Sequence, residues 1–329
     1  MSQRAFLSFI VTFFVISISC ETLIAYEYPK AKKDEIIVLA LNEEQMASLC
    51  NIENYSIAGS PGVCYGIDRV NYAFLTRIKF QLGIRDSDED IENKLIQAAL
   101  YGIQETIYGF ESGASFTSQM EANWDLDTNP LRRAIEKVQI RQRKSFLKTY
   151  LKKKALQLRE KGEYLYSEET VAFAKLILNG VPIFIVVGNQ LGFHALTVVG
   201  FKVNFSRLDS ITIEFLVLDS NYPDSLQILS LKKMGEVPYW SYSYLNRFSW
   251  EEKFYSESFS NFLRTLDAVV VLWDVPQESE IKLAQSVFDP VFLTAWGGRK
   301  SFESAVKTVL AKNYEEYYSY KNFLEIQLK

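Results

Sequence analysis

Apolar and polar positions follow a helical period over the first half of the chain and a strand period from about residue 180 onward. From Cys64, the residues Ile67, Val70, Phe74 and Ile78 recur at helical spacing, with Asp68 near the segment's start. The stretch RDSDEDIENKLIQAALYGI (85–103) predicts a second helix, capped by Ser87 or Asp88 and acidic in its first turn. Leu131, Ile135, Val138, Phe146, Tyr150 and Leu158 trace the apolar stripe of a long helix over 131–162. A further helix follows Ser167 and stops at Asn179-Gly180. Then come continuous apolar runs bounded by turn residues: VPIFIVV (181–187), FHALTVVGF (193–201), ITIEFLVLD (211–219) and LDAVVVLWDV (266–275). Each reads as a buried strand. EIIVLAL (35–41) is the one apolar stretch in the lead-in, the Gly-, Ser- and Asn-rich residues 109–130 read as loop, and 280–329 read as a mostly helical tail. Helices first and an antiparallel sheet afterwards make an α+β fold.

The N-terminus departs from this pattern. MSQRAFLSFIVTFFVISISC carries Arg4 and then an apolar run to Cys20, broken only by hydroxyl residues. A short positive start before such a run is an export signal, with Ser17 and Ser19 as small residues near a cleavage point. An uncleaved membrane anchor and a lipid-modified Cys20 are the alternatives, although Ser17 stands where a lipobox has an aliphatic residue. Residues 1–20 are thus assigned to a signal or anchor, and the mature protein is expected outside the cytoplasm, periplasmic or secreted.

Charge adds one feature. With 329 residues, 48% hydrophobic and 23% charged, and a net charge of −4, the chain has globular composition and no global pull toward nucleic acid. Residues 131–162, however, hold twelve Lys and Arg residues against Glu136 and Glu160. Such a segment offers a patch for an anionic membrane or acidic partner, or simply a solvated helical face.

Few side chains remain that can carry chemistry. His194 is the chain's one histidine. Lone histidines are commonly structural, but this one opens an apolar strand directly after a Gly-containing turn. No second histidine or paired-cysteine spacing suggests a metal, and no phosphate loop or GxSxG elbow occurs. No cofactor is expected. What is left is a thiol, an imidazole and a carboxylate, in the order Cys64, His194, Asp219. Cys64 falls at a helix N-terminus after Pro61-Gly62, where a thiol's pKa is lowered, and an imidazole nearby lowers it further. Asp219 ends the strand after the His194 strand, so an antiparallel hairpin makes the two neighbours. Asn221 is a second candidate for the residue that orients the imidazole.

GVCYG before an apolar helix, GFHALTVVGF opening a strand and LVLDSNYP ending the next resemble papain-like cysteine peptidases. The likeness is to the bacterial secreted and effector branch, in which the third residue is Asp. It runs from about residue 55 to 275, although 80–165 resembles no element of that family. The resemblance implies a peptidase domain over 27–275 with a basic helical insertion at about 131–162, followed by a helical extension over 276–329. Its fold would set a helical half bearing the nucleophile against an antiparallel sheet bearing His and Asp. It further implies that Cys64 is the nucleophile, His194 the base and Asp219 the orienting group, with a protein or peptide as substrate. Two family features are missing: Ala58 stands where a Gln oxyanion donor is usual, with Gln45 farther upstream, and no Asn-Ser-Trp stretch is present.

Three rival readings accompany this one. Cys50 and Cys64 can pair as a disulfide in an exported chain. Transglutaminase- or amidase-like acyl transfer uses the same three residue types in the same order. An inactive papain-like binding module keeps the motifs without the reaction. Geometry separates them first: the thiol reading requires Cys64 Sγ within about 5 Å of a His194 nitrogen, and Asp219 or Asn221 on the other nitrogen.

Overall fold

The computed structural model describes residues 29–32, 35–142, 163–188, 193–204, 212–234, 237–242, 268–273, 281–282 and 291–294. Residues 1–20, expected as a signal or anchor, and residues 143–162 lie outside these. Among the described residues no helix is long and apolar enough to cross a membrane.

The fold is mixed α/β, a helical half beside a curled antiparallel sheet. Strand β1 (Glu35–Leu39) and helix α1 (Glu43–Ala47) lead into α2 (Cys64–Thr76), α3 (Asp88–Tyr101), α4 (Gly113–Ala122) and α5 (Pro130–Arg141). The short parallel pair β2 (Ile78–Gln81) and β3 (Glu105–Tyr108) joins two of these helices. After α6 (Glu163–Leu178) come β4 (Ile183–Gly188), β5 (Phe193–Asn204), β6 (Thr212–Leu218), β7 (Gln227–Met234), β8 (Val237–Ser241), β9 (Ala268–Trp273) and β10 (Val291–Thr294).

Six of the strands form a ring. β4 pairs with β5, β5 with β6, β6 with β7, β7 with β8, β8 with β9, and β9 returns to β4, each antiparallel. Closure removes free edges from this part of the sheet. A bulge between Val198 and Gly200 bends β5, and beyond it β5 takes β1 as a partner. Helix α6 lays Phe173, Ala174 and Ile177 on the sheet, where Phe173 meets Phe215, Trp240 and Trp273. The Trp240 indole N–H, deep in this core, donates to Glu169 Oε2 at 3.1 Å.

The helical half has its own core, from Val63 at the N-cap of α2 and Ile67, Val70 and Phe74 within it, with Ile91, Leu95, Leu131 and Ile135. Each such side chain contributes about 1.5–3 kcal/mol on burial. Gly66 permits this packing: a Cβ there would stand 2.2 Å from the Ile135 carbonyl oxygen. On its other side α2 meets the sheet, with Tyr72 against Phe184, Val186 and Ala195, and the Arg69 guanidinium 4.4 Å from the Phe184 ring centre. Helix α2 is therefore clamped between two cores.

Two sequence expectations are corrected. Residues 109–130 are not all loop, since Ser112 and Ser115 cap α4 reciprocally and Phe116 and Met120 bury one face. The tail is not helical at 291–294, where Val-Phe-Leu-Thr pairs with the outer edge of β1 as β10. Helix α5 ends at Arg141, and three of its basic residues have acidic partners. Arg133 lies 2.8 Å from buried Glu92, Lys137 pairs with the same carboxylate, and Arg132 reaches Glu136 at 3.1 Å.

Candidate active site

Cys64 is the first residue of α2, half-buried at the meeting of the two halves. Backbone N–H groups in a helix's first turn have no partner within the helix and favour negative charge. One of them, on Gly66, is taken by the Gln139 side chain at 3.1 Å. His194 sits near the start of β5, opposite Val187 of β4, and is 3% exposed. Asp219 follows the last residue of β6 and is fully buried. Pairing of β5 with β6 begins at Thr197 and Leu218, so His194 and Asp219 extend from the same end of that hairpin.

The structure brings these three side chains together. The Cys64 thiol and the His194 imidazole are close enough to shift each other's protonation. His194 Nε2 lies 2.6 Å from Asp219 Oδ1, which leaves Nδ1 as the ring nitrogen available to the thiol. A carboxylate with no solvent contact needs donors. Asp219 has three: His194 at Oδ1, the Asn221 backbone N–H at 2.7 Å on the same oxygen, and the Tyr242 hydroxyl at Oδ2. Burial, and then the Asp219 charge, push the Tyr242 phenol well above its ordinary range, so it remains a donor.

Of the two candidates for orienting the ring, Asp219 holds the short contact. Asn221 Nδ2 lies 3.2 Å from the same Nε2. An amide NH₂ cannot accept a proton, so this is a packing contact whenever Nε2 carries its hydrogen toward Asp219.

The electrostatics favour an ion pair. Burial alone would raise the Cys64 thiol, but the His194 charge and hydrogen bond, with the Ala195 backbone N–H, outweigh it and hold the thiol below its ordinary value. For His194, burial opposes the charge, yet Asp219 and then Cys64 raise the imidazole well above its ordinary value. A lowered thiol beside a raised imidazole shifts the balance toward a thiolate–imidazolium pair.

Cys50 shares none of this. Among the described residues, Cys50 and Cys64 are both free thiols. Cys50 is 1% exposed, its backbone held by the Asn71 side chain, and burial followed by the Glu121 charge pushes its thiol up. It is a packing residue. Gln45 is likewise elsewhere, its side chain accepting the Asn42 N–H at 2.7 Å in the cap of α1, and Ala58 is exposed. Among the described residues no group of three or more His, Cys, Asp or Glu side chains is gathered to hold a metal ion.

Two residues of the site escaped the sequence. Tyr242 and Asn54 come from distant segments with no pattern around them. Asp68 lies near the start of α2 as expected, and one turn after Cys64 it also shares that residue's helix face. It is 1% exposed, and Oδ2 has no hydrogen-bond partner. Burial pushes its carboxyl well above the usual range, against the opposing pull of the His194 charge. A carboxyl shifted toward its neutral form here reduces the negative charge beside Cys64. Because its folded pKa exceeds the unfolded one, the stability it contributes is full in acid and lost as pH rises toward the folded value. Asp68→Asn, a mimic of the neutral acid, is therefore expected to gain stability over wild type as pH rises from about 4 to about 8. Denaturant midpoints across that range measure it, and a difference that does not change with pH contradicts a neutral Asp68.

No protein-family model, curated protein or solved structure matches the chain. The functional reading rests on the site itself.

Proposed function

We propose that the chain is an exported papain-like thiol hydrolase that cleaves peptide amide bonds, with Cys64 as nucleophile, His194 as acid and base, and Asp219 as the group that orients the imidazole. The observation that carries the reading is the continuous chain of contacts from a thiol at a helix N-terminus to an imidazole and on to a buried carboxylate. The papain-like arrangement is supported by the division of labour, nucleophile on a helix and the other two residues on an antiparallel sheet.

The chemistry follows from the ion pair. The Cys64 thiolate attacks the substrate carbonyl carbon, and the electron pair of the C=O bond moves onto oxygen. That oxyanion faces the orphan N–H groups at the start of α2, the Cys64 N–H first among them. As the tetrahedral centre collapses, the C–N bond breaks and the imidazolium gives its proton to the leaving amine. Water then attacks the thioester, His194 takes its proton, and the C–S bond breaks to release the acid and restore the pair. Throughout, Asp219 keeps Nε2–H pointed away from the sulfur, so that Nδ1 does the proton transfer.

Incubation of the protein with a peptide library and a primary amine tests the reaction class. New carboxyl termini identified by mass spectrometry are the expected result. Amine-conjugated products in their place would move the reading to acyl transfer, and a folded protein that turns over nothing would move it to a binding module.

A further inference from the structure

The loop before Cys64 carries a side chain that spans both halves of the site. Asn54 Oδ1 accepts the Val63 backbone N–H at 2.7 Å, at the N-cap of the nucleophile helix. Its Nδ2 donates to Asn221 Oδ1 at 3.0 Å, and its own backbone N–H donates to the Ser220 carbonyl at 2.8 Å. Asn221 in turn donates its backbone N–H to Asp219 and rests its amide against His194. One residue thus bonds to the start of α2 and, by two bonds, to the turn that follows β6.

The amide orientations are forced. A backbone N–H can only donate, so Val63 fixes the Asn54 oxygen on its own side. The Asn54 NH₂ must then face Asn221, whose oxygen must face back. Gly62 closes the arrangement, because a Cβ there would stand 2.8 Å from Asn54 Nδ2 and 2.9 Å from Oδ1. Val63 has no side-chain hydrogen bond with which to cap its own helix, and Asn54 holds that end at the Val63 N–H while Gln139 takes the Gly66 N–H.

We infer that Asn54 is a positioning residue that ties the start of the Cys64 helix to the Asp219–Asn221 turn and thereby sets the approach of the thiol to the His194 ring. The inference rests on the thiol reading of the site. Asn54 touches neither the sulfur nor the imidazole; it acts through Val63 on one side and Asn221 on the other. Loss of the tie lets the two halves part, and the ion pair weakens with distance.

Alkylation of the full chain by iodoacetamide as a function of pH reads the pair directly and needs no substrate, with Cys64→Ser as the blank for Cys50. The wild type should react in acid, at about pH 6, well below the range of a free thiol. Asn54→Ala should react about tenfold more slowly there and at an unchanged rate at about pH 10, where every accessible thiol is ionised. Gly62→Ala leaves Asn54 in place but drives its amide aside, and should reproduce the same profile. Wild-type acid reactivity in either folded variant would overturn the role of Asn54 alone. Absence of acid reactivity from the wild type itself would overturn the thiol reading and this inference with it. Unfolding of both variants, seen by thermal melting, would assign Asn54 to the fold and also overturn it.

Discussion

Cys64→Ala is expected to lower kcat/KM for amide hydrolysis on the order of 10⁴-fold or more, to the level left by binding and the oxyanion donors alone. Cys64 is the thiol whose charge couples to His194, so its removal takes away the proposed nucleophile. His194→Ala should cost nearly as much. The thiol would lose the charge that holds it below its ordinary pKa, and the leaving amine would lose its proton donor. Residues that act as one unit give single losses close to the loss from removing all of them, so the double variant should be little worse than either alone. Asp219→Asn is expected to fall between, on the order of 10²-fold. An amide at 219 can keep its oxygen toward His194 Nε2 and the Asn221 N–H, while its NH₂ meets the Tyr242 hydroxyl, which can rotate to accept. What it cannot supply is the negative charge. Rates on one peptide substrate, with circular dichroism to establish folding, would order the three variants.

The second large effect is on pH dependence. The Cys64 thiol is lowered and the His194 imidazole raised, so the reactive pair exists between the two transitions. Activity should rise in acid as the thiolate forms, hold over a plateau, and fall in alkali as the imidazolium loses its proton. The two apparent values belong to the pair rather than to either residue. After burial, which works the other way, Asp219 is the largest influence on His194. In Asp219→Asn the alkaline limb should therefore move to lower pH by about one unit or more, and the plateau should narrow. A kcat/KM profile with a single rise near about pH 8.5, the range of an isolated thiol, would contradict the ion pair.

How much of this the sequence carried depends on the length and regularity of each element. The α2 stripe, the Ser87 cap and the β4–β5–β6 runs were legible because a buried face repeats over many residues. Cys64, His194 and Asp219 were legible because each lies at or near an element's end beside turn residues. Short elements gave no such signal. β2 and β3 have four residues each, too few for a period, and their parallel pairing joins segments separated by the whole of α3. Helix α4 hid in a stretch of Gly, Ser and Thr, since only Phe116 and Met120 mark its buried face and its Ser112–Ser115 cap looks like loop composition. β10 was read as helix because its partner is an edge 250 residues upstream, which local periodicity cannot report. The polar residues around the site were the least legible. Asn54 and Tyr242 owe their positions to tertiary contacts alone, with Asn221 167 residues from Asn54 and Asp219 23 residues from Tyr242.

The central claim is that Cys64 becomes a covalent nucleophile because His194 and Asp219 make it one. Reaction of the folded protein with a peptide probe bearing a thiol-directed acyl-type warhead, followed by peptide mass spectrometry, tests this most directly. The account predicts one adduct, on Cys64, formed fast in wild type, slowly in Asp219→Asn and not at all in Cys64→Ala or His194→Ala. An adduct on Cys50, or labelling of Cys64 that His194→Ala leaves unchanged, would contradict it.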